Sequence, residues 1–599
     1  MSTATLPARS EIATEFIWDL ESIYDSVDAW EADFSALSSR LPELAGFEGR
    51  LISSAQTLLA GLRLRDELEV ALGKLYSYAH MKRDEDATQP GPQALHERVS
   101  SLASRFSAAA AFFTPEIVAL DHETVERFFG EEPDLAVYRF LLDNALRLKP
   151  HVRSTEVEGL LAQSREMARG ASTIYDMLQD ADMKFPRIRD ESGEEIELTH
   201  GRYIPLQQSA DRRVRRESFE ALYTTYAAFR NTIAASYATS VKKDVFFARA
   251  HNHESSQRAA LFDDNVPPEV YANLVATVES RLDLMQRYLA LRKRIMGLDE
   301  LHLYDVYAHL IPEAKRVIPY QQATEQVLGA VAALGSDYRE AVARGLASRW
   351  VDVYETPGKA SGAYSGGSYG THPFVLMNYQ DNLDGVYTLA HELGHSMHSF
   401  YSRATQPLVY ADYSLFVAEV ASITNEALLT DYLLRQDIDP DTRKALINNE
   451  LEKYRGTLFR QTMFAHFEQE THRMAEAGEA LTSEALNALH ESLVERYFAP
   501  ECVIDGLIAF EWSRIPHFYR AFYVYQYATG ISAATALSRA ILSEGQSAVE
   551  RYRRFLSAGG SGYPIDLLRE AGVDMTSPAP VSAALDHFSG LLRQLEELV

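Results

Sequence analysis

Apolar residues recur three and four positions apart along most of this 599-residue chain, in segments rich in Ala, Leu, Glu and Arg. This spacing places the apolar side chains on one face of an α-helix and therefore predicts a mainly helical fold. Hydrophobic residues make up 46% of the chain, which is enough to fill a large core between such helices. Examples of these segments are Leu58–Glu69, Gln93–Ala111, Tyr271–Ile295 and Ser483–Arg496, with a Pro-Pro break at Pro267 before the third.

Two regions depart from the helical pattern. Lys184–Arg189 and Glu195–Leu198 flank a glycine-containing turn, which predicts a short β-hairpin. Trp350–Tyr379 contains five glycines with Tyr, Val and Phe between them, which is typical of a twisted, irregular β-sheet. The pattern also suggests a boundary near residue 200, between an N-terminal helical region, 1–200, and a region, 201–599, that carries the motifs described next.

Charge and cysteine content narrow the possible partners. The formal net charge is −27, which repels nucleic acid phosphates and anionic membrane surfaces, so neither is expected as a partner. The one cysteine, Cys502, excludes an internal disulfide and is expected in the core.

Met1–Glu15 has no apolar stretch typical of a secretion signal, and no run is long enough to span a membrane. We therefore expect a cytoplasmic protein.

The motif His391-Glu392-Leu393-Gly394-His395 matches the pattern His-Glu-x-x-His. On a helix, residues i and i+4 lie one turn apart on one face, so both imidazoles can bind one zinc ion. Glu392 follows the first histidine directly, which favours a general base acting on water at the metal.

The residues around this motif have the periodicity of an amphipathic helix. At about 100° per residue, His391, His395 and His398 fall together on the side away from an apolar stripe, with Glu392 close by. The stripe comprises Val386, Leu389, Leu393, Met397 and Phe400. A helix with a core-facing stripe on one side and imidazoles on the other is suited to a zinc site.

A catalytic zinc usually has three protein ligands and one open position. His398 is one candidate for the third ligand, but three ligands from adjacent turns of one helix would strain tetrahedral geometry. Glu419, 28 residues after His391, lies in the apolar segment Phe416–Ser422. An ionised carboxylate there is costly unless it is paired or bound to metal, which makes Glu419 the better candidate. Glu426, two turns further along, is either a carboxylate that orients a ligand or an ordinary helix-face residue.

Further motifs accompany this helix along nearly the whole chain. They are Trp18-Asp19-Leu20, Ile23-Tyr24, Ser361–Tyr364, Gly367–Pro373, Asn378-Tyr379, Ile515–Tyr523 and Tyr525–Gly530. Together with the His391 motif and Phe416–Ser422, they resemble the oligoendopeptidase F family, which belongs to the larger thimet oligopeptidase group of zinc peptidases. One local departure is Gly366, where a bulkier residue is expected, and it affects only fine contacts with substrate.

The resemblance implies a mainly α, two-lobed metallopeptidase fold with a deep substrate channel and a small irregular β-sheet beside the zinc site. It implies one Zn²⁺ ion and oligopeptide substrates that are cut at internal bonds. The implied metal ligands are His391, His395 and Glu419, with Glu392 as the base. The other implied residues are His517 and Tyr523 as catalytic groups and Tyr527, His372 and Gly370 as substrate contacts. For most other aromatic residues between 512 and 527, core packing is the better interpretation.

Three other interpretations stay open at this point. The chain could be a carboxypeptidase-type helical zincin, which would need a positively charged pocket for a free C-terminus. It could be a non-catalytic peptide-binding protein, although the intact Glu392 argues against a relic site. It could also be a helical structural protein without metal. The sequence leaves the oligomeric state and the preferred peptide sequence open.

Overall fold

The computed structural model describes residues 6–311 and 317–599, and it is mainly α-helical, as predicted. In the first half of the described chain the α-helices are α1 (Val27–Ala45), α2 (Ala55–Glu85), α3 (Pro90–Ala110), α4 (Phe113–Ala119), α5 (His122–Glu131), α6 (Arg139–Arg147), α7 (Thr155–Ala168), α8 (Gly170–Asp176), α9 (His200–Gln207), α10 (Arg212–Ala228), α11 (Arg230–Ala250), α12 (Ser256–Phe262), α13 (Pro268–Glu279) and α14 (Leu282–Ile295). In the second half they are α15 (Tyr320–Ala330), α16 (Ser336–Ala347), α17 (Leu383–Thr405), α18 (Leu415–Leu434), α19 (Pro440–Tyr454), α20 (Arg460–Glu476), α21 (Ser483–Phe498), α22 (Tyr525–Glu544), α23 (Gln546–Ala558), α24 (Pro564–Glu570) and α25 (Ala579–Leu598).

The strands are short and form small separate sheets. They are β1 (Arg187–Arg189), β2 (Glu195–Glu197), β3 (Leu301–His302), β4 (Val351–Asp352), β5 (Tyr364–Gly366), β6 (Phe374–Leu376) and β7 (Cys502–Val503). β1 pairs antiparallel with β2, and β3 pairs parallel with β7. The third sheet has the order β4-β6-β5, with β6 parallel to β4 and antiparallel to β5.

The chain divides into two compact units, each built from three separate segments. Unit 1 comprises Met1–Pro150, Arg316–Arg435 and Leu537–Gly572. Its core includes buried residues of α1 to α3, such as Trp30, together with Phe374 of β6. In the same unit, α17 packs against α15, α18 and α23 and against the sheet strands β5 and β6.

Unit 2 comprises His151–Lys315, Gln436–Ala536 and Val573–Val599. Within it, α11 packs against α20, and α19 packs against α25. The boundary predicted near residue 200, between the regions 1–200 and 201–599, stays a prediction.

Several local predictions can be compared with the structure. The hairpin is present, with Arg189 opposite Glu195, and the Gly-rich region forms the sheet with order β4-β6-β5 beside α17. Cys502 is buried, as expected. The segment Tyr271–Ile295 is not one helix, because it is interrupted at Ser280, whose hydroxyl donates a hydrogen bond back to the carbonyl of Thr277.

Among the described residues, no helix is both long enough and apolar enough to cross a membrane.

Candidate metal centre and active site

Helix α17 begins with a side-chain cap and buries one face. Asn382 accepts a hydrogen bond at Oδ1 from the Gly385 N–H at 2.9 Å, which satisfies one of the free donors of the first turn. The predicted stripe is confirmed for its first four members, Val386, Leu389, Leu393 and Met397, which are fully buried, whereas Phe400 is half-buried. Burial of this stripe fixes the rotation of α17 and so determines where its imidazoles point.

The structure brings three of the predicted site residues together. His391 Nε2 lies 3.2 Å from His395 Nε2, and these atoms lie 3.4 and 3.6 Å from Glu419 Oε2. Among the described residues, these three form the group of His, Cys, Asp and Glu side chains that is spaced to hold a metal ion.

The spacing of these donor atoms matches the demands of zinc. A tetrahedral ion with bonds of about 2.0–2.1 Å to nitrogen and oxygen separates its ligand atoms by roughly 3.3 Å. The three observed separations of 3.2, 3.4 and 3.6 Å are close to that value, and two imidazoles with one carboxylate form a donor set typical of zinc. The residues present therefore fit a zinc ion.

A glycine in the motif allows the two ligand-bearing helices to meet. A Cβ on Gly394 would lie 2.5 Å from Ser422 Cα and 2.7 Å from the Ala421 carbonyl oxygen, both on α18. No real Cβ contact is that short, so only glycine permits this backbone approach. Asn425 adds a bond between the helices by donating from Nδ2 to the Ala390 carbonyl at 3.2 Å. This close packing is what places Glu419 beside the two histidines.

Both imidazoles are oriented by a second contact. His391 Nδ1 lies 2.5 Å from Glu426 Oε1, so Nδ1–H donates to this carboxylate and Nε2 is left as the ligand atom. The His395 ring makes a hydrogen bond to the backbone of Ala418. Of the two interpretations that the sequence left open for Glu426, the geometry favours the carboxylate that orients a ligand.

The Glu392 side chain is almost completely shielded from solvent and lies beside the metal ligands. Its side chain is 7% exposed, and its Oε2 has no hydrogen-bond partner among the described residues. The backbone N–H of Ser365 on β5 donates to the carboxylate. Burial raises the pKa of Glu392 to about 7, with the nearby Glu419 carboxylate adding to the effect. A carboxylate with that pKa can take up and release a proton near neutral pH.

The charges around His391 favour a cation at this site. Burial opposes a charge on His391, but hydrogen bonds to Glu419 and Glu426 raise its pKa to about 10. Burial lowers the pKa of His395 to about 4, and the neighbouring His391 lowers it further. One positive charge is thus held among the carboxylates of Glu392, Glu419 and Glu426, where a divalent cation would compensate them more fully.

Contrary to expectation, the structure does not bring His398 together with the ligand atoms of His391 and His395. Its side chain is 1% exposed, and its ring stacks on Tyr413 with a centroid separation of 3.5 Å. Phe555 of α23 contacts the ring as well, and burial lowers the pKa of His398 to about 3. At about 100° per residue His398 lies within about 20° of His391 around the helix axis, but it is two turns further along, where Tyr413 and Phe555 cover its ring, so it does not join the group of ligand atoms.

Glu419 is less buried than its apolar neighbours suggested. Its side chain is 41% exposed, and Ser422 Oγ donates to Oε2 at 3.2 Å. Despite its partial burial, the hydrogen bond to His391 holds the pKa of Glu419 below its usual value. Glu419 is therefore an ionised carboxylate, which is the state a metal ligand requires.

His372 and Gly370 lie in the turn between β5 and β6. His372 Nδ1 lies 2.6 Å from the Pro373 carbonyl, and Nε2 lies 3.1 Å from Ser22 Oγ. Both ring nitrogens therefore have partners within the protein, and the predicted contact of His372 with substrate stays a prediction. Gly370 has φ of +83° and lies close to Lys74, so it serves the turn itself, and its predicted contact with substrate stays a prediction.

His517, Tyr523 and Tyr527 belong to unit 2, where they form a cluster of their own in the segment 516–527, called the aromatic loop below. The His517 and Tyr523 rings stack at 5.6 Å, and the Tyr523 and Tyr527 rings meet edge to face at 5.3 Å. Tyr527 donates from its hydroxyl to the Tyr523 hydroxyl at 3.3 Å. His517 is exposed, whereas Trp512 and Phe518 are core residues, as expected for most aromatics of this region.

Two contributors to the site were missed by sequence reasoning. The Ser365 backbone N–H that binds Glu392 comes from a separate strand, and no spacing rule connects the two residues. The role of Gly394 left a signal, because a glycine in the middle of an otherwise regular helix is unfavourable and indicates close packing.

Known proteins resemble this chain over nearly its full length. The family model described as Peptidase family M3 matches residues 205–587, and the one described as Oligopeptidase F matches residues 116–185. Oligopeptidase PepF of Bacillus subtilis (strain 168) is 46% identical over 99% of this chain and 89% of the relative. Group B oligopeptidase PepB of Streptococcus agalactiae serotype III (strain NEM316) is 42% identical over 99% and 98%. The crystal structure of oligoendopeptidase-F from Enterococcus faecium superposes with a TM-score of 0.74 at 37% identity, covering 95% of this chain and 98% of that one.

Proposed function

Because the chain belongs to peptidase family M3, within its oligoendopeptidase F group, we propose that it is a zinc-dependent endopeptidase that cuts internal bonds of oligopeptides. Family membership itself identifies a metallopeptidase that acts on peptides. The choice of zinc, the catalytic base and the internal position of the cut are the proposal. A cytoplasmic location stays a prediction.

One observation supports the proposal above all others. His391, His395 and Glu419 present three donor atoms 3.2 to 3.6 Å apart, and Glu392, whose buried Oε2 has no hydrogen-bond partner among the described residues, directly follows His391 in the chain. The three donors would hold the ion, and the fourth residue would move the proton. When bound there, zinc supplies a Lewis acid that lowers the pKa of water to roughly 7.

The protein's own residues account for the proton transfers of peptide hydrolysis. Glu392 takes a proton from the attacking water as its oxygen bonds to the carbonyl carbon. When the carbon–nitrogen bond breaks, Glu392 passes that proton to the leaving nitrogen, and the carboxyl group returns to its starting state. The raised pKa of Glu392, caused by burial, suits a group that must both accept and release a proton.

We assign the stabilisation of the developing oxyanion to Tyr523. Its hydroxyl oxygen already accepts a hydrogen bond from Tyr527, so its own O–H is available to donate. His517 stacks on the same ring and would be the second donor or a substrate contact, as would Tyr527. Removing one such donor typically lowers the rate about 10²–10³-fold.

The test uses the full chain and a quenched fluorescent peptide of about ten residues, with and without a zinc chelator, with the products mapped by mass spectrometry. We expect internal cleavage that the chelator abolishes and added zinc restores. Chelator-sensitive release of single C-terminal residues would support a carboxypeptidase instead. A chain that binds zinc but cleaves none of a varied peptide set would contradict the proposal and favour a peptide-binding protein.

A further inference from the structure

The aromatic loop contains one residue in a conformation that bulky side chains rarely adopt. Phe522 has φ of +52°, in the left-handed region. There the Cβ of an L-residue crowds the following carbonyl oxygen, so the conformation persists only where the surroundings hold it. Other groups must therefore fix the backbone at this point.

Two side chains of α20 hold Phe522, one by its backbone and one by its ring. Glu468 accepts a hydrogen bond at Oε1 from the Phe522 N–H at 2.7 Å. His472, one turn further along α20, packs its ring 4.6 Å from the Phe522 ring. Tyr271 contacts the same ring edge to face, with a centroid separation of 5.8 Å. Helix α20 thus supplies two contacts, one to the backbone and one to the ring, that hold Phe522 in this unfavourable conformation.

Glu468 occupies a position that is unfavourable for a carboxyl group. It is fully buried, and its Oε2 has no hydrogen-bond partner among the described residues. Burial raises the pKa of Glu468 well above its usual value, with Asp244 adding to the effect, which favours the neutral acid. An apolar side chain would fill this space without an unpaired polar atom, but it could not accept the Phe522 N–H. The hydrogen bond to Phe522 is therefore the contribution that requires a polar residue.

The backbone conformation of Phe522 determines where the next side chain points. A rotation about φ at Phe522 would move every following atom of the loop, beginning with Tyr523. In the observed conformation Tyr523 stacks on His517 and accepts from Tyr527, which leaves the Tyr523 O–H to donate. The direction of that donor thus depends on the contact between Glu468 and Phe522.

We propose that Glu468 is a positioning residue for Tyr523: its carboxyl group holds Phe522 in the left-handed conformation and thereby aims the Tyr523 hydroxyl. This inference rests on the proposed function, in which Tyr523 donates a hydrogen bond to the reacting carbonyl. Glu468 itself does not touch the reacting atoms. Its loss should therefore reduce turnover, through Tyr523, more than substrate binding.

The first test compares three variants of α20 in the full-length, zinc-loaded protein. Glu468→Met keeps the length of the side chain but removes the acceptor, so kcat should fall about 10–100-fold while KM changes less than about threefold. Glu468→Gln keeps an acceptor oxygen and should retain kcat within about threefold of wild type. Glu470→Met makes the same change at a partly exposed carboxylate of the same helix, and it controls for the substitution itself.

A double-mutant cycle separates positioning from general destabilisation. Tyr523→Phe should lower kcat about 10²–10³-fold. In that background Glu468→Met should lower kcat less than about twofold further, because the hydroxyl that it positions is already absent. Losses that multiply in the double variant would overturn the inference. So would a Glu468→Met protein that keeps wild-type kcat beside an inactive Tyr523→Phe protein, with the proposed function left intact. A fully active Tyr523→Phe protein would overturn the proposed role of Tyr523, and this inference with it.

A second pair of variants keeps the inference testable if Glu468→Met does not fold. Phe522→Gly and Phe522→Ala both remove the ring, but only glycine adopts a positive φ freely. The glycine variant should therefore keep a kcat about fivefold or more above that of the alanine variant. Equal kcat values for this pair would show that the left-handed conformation does not matter for turnover and would overturn the inference.

Discussion

The metal-binding helices and the aromatic loop both carry candidate catalytic side chains, but they hold them in different ways. In α17 and α18 the backbone is regular, and His391 and His395 share a face because they are four residues apart. In the loop the backbone is irregular, and Tyr523 follows a phenylalanine with φ of +52°. A buried carboxyl group of a distant helix, Glu468, holds that phenylalanine.

The difference shows two ways of placing a reactive group. A helix transmits position through its own hydrogen bonds, so the packing of one apolar stripe orients all its side chains. A loop lacks that repeating support, so a conformation that is locally unfavourable must be stabilised by contacts from elsewhere. The helical site should therefore separate cleanly into chemistry and scaffold, whereas in the loop the direction of the Tyr523 donor depends on a scaffold residue, Glu468.

The largest effect should come from Glu392→Gln, which tests the chemistry of the helical site alone. The amide keeps the volume of the carboxylate and an acceptor for the Ser365 N–H, but it cannot take a proton. We expect kcat to fall about 10²–10⁴-fold, while zinc content and melting temperature stay at wild-type values. Peptide cleavage kinetics and metal analysis check this. Normal turnover would exclude Glu392 as the base, and loss of zinc would show that the chemistry and the scaffold are not separable.

A smaller effect is expected when the contact that orients His391 is removed. Glu426→Leu takes away the partner of His391 Nδ1 and should weaken zinc affinity about 10–100-fold, as is typical for residues that orient a ligand. Asp431→Leu on the same helix removes a carboxylate that pairs with Arg435 instead and should leave zinc affinity unchanged. Titration of the apo protein with zinc measures both, and equal affinities would mean that Glu426 is an ordinary helix-face residue.

The close packing of α17 against α18 can be tested by the same substitution at two helical glycines, for which we expect opposite effects on stability. Gly394→Ala forces a Cβ against the backbone of α18 and should destabilise the protein by about 1–3 kcal/mol. Gly590→Ala in α25 meets open space and should stabilise that helix by about 1 kcal/mol. Thermal melting should thus shift in opposite directions. A stabilised Gly394→Ala protein would contradict the close approach of α17 and α18.

The smallest effect concerns the pH dependence of stability in the loop region. Burial raises the folded-state pKa of Glu468, so its contribution to stability is complete below the unfolded pKa near 4.3 and is lost as pH rises toward the folded pKa. Glutamine does not titrate, so the variant lacks this pH dependence. The melting temperature of Glu468→Gln relative to wild type should therefore rise between pH 5 and pH 8. A difference independent of pH would mean that Glu468 is ionised in the folded protein.

Much of the helical site could be predicted from the sequence because it obeys short-range rules. The four-residue spacing of His391 and His395, the apolar stripe and the unfavourable carboxylate of Glu419 are all properties of contiguous segments. The sequence did not show that His398 is separated from the ligand atoms, because the pattern of one helix does not reveal which neighbours cover each of its residues. Phe555, which contacts the His398 ring, is 157 residues further along the chain.

The sequence by itself determined a mainly helical fold, a helix with the His-Glu-x-x-His motif and a resemblance to the oligoendopeptidase F family. It could do so because helical periodicity and motif spacing are local properties. The tertiary structure alone decided three contacts. The Ser365 N–H binds the Glu392 carboxylate, the backbone of Ser422 packs closely against Gly394, and Glu468 accepts a hydrogen bond from the Phe522 N–H. Each of these pairs joins residues far apart in the chain. Such contacts depend on how whole helices and strands pack, and packing optimises the sum of many weak interactions that no single segment contains.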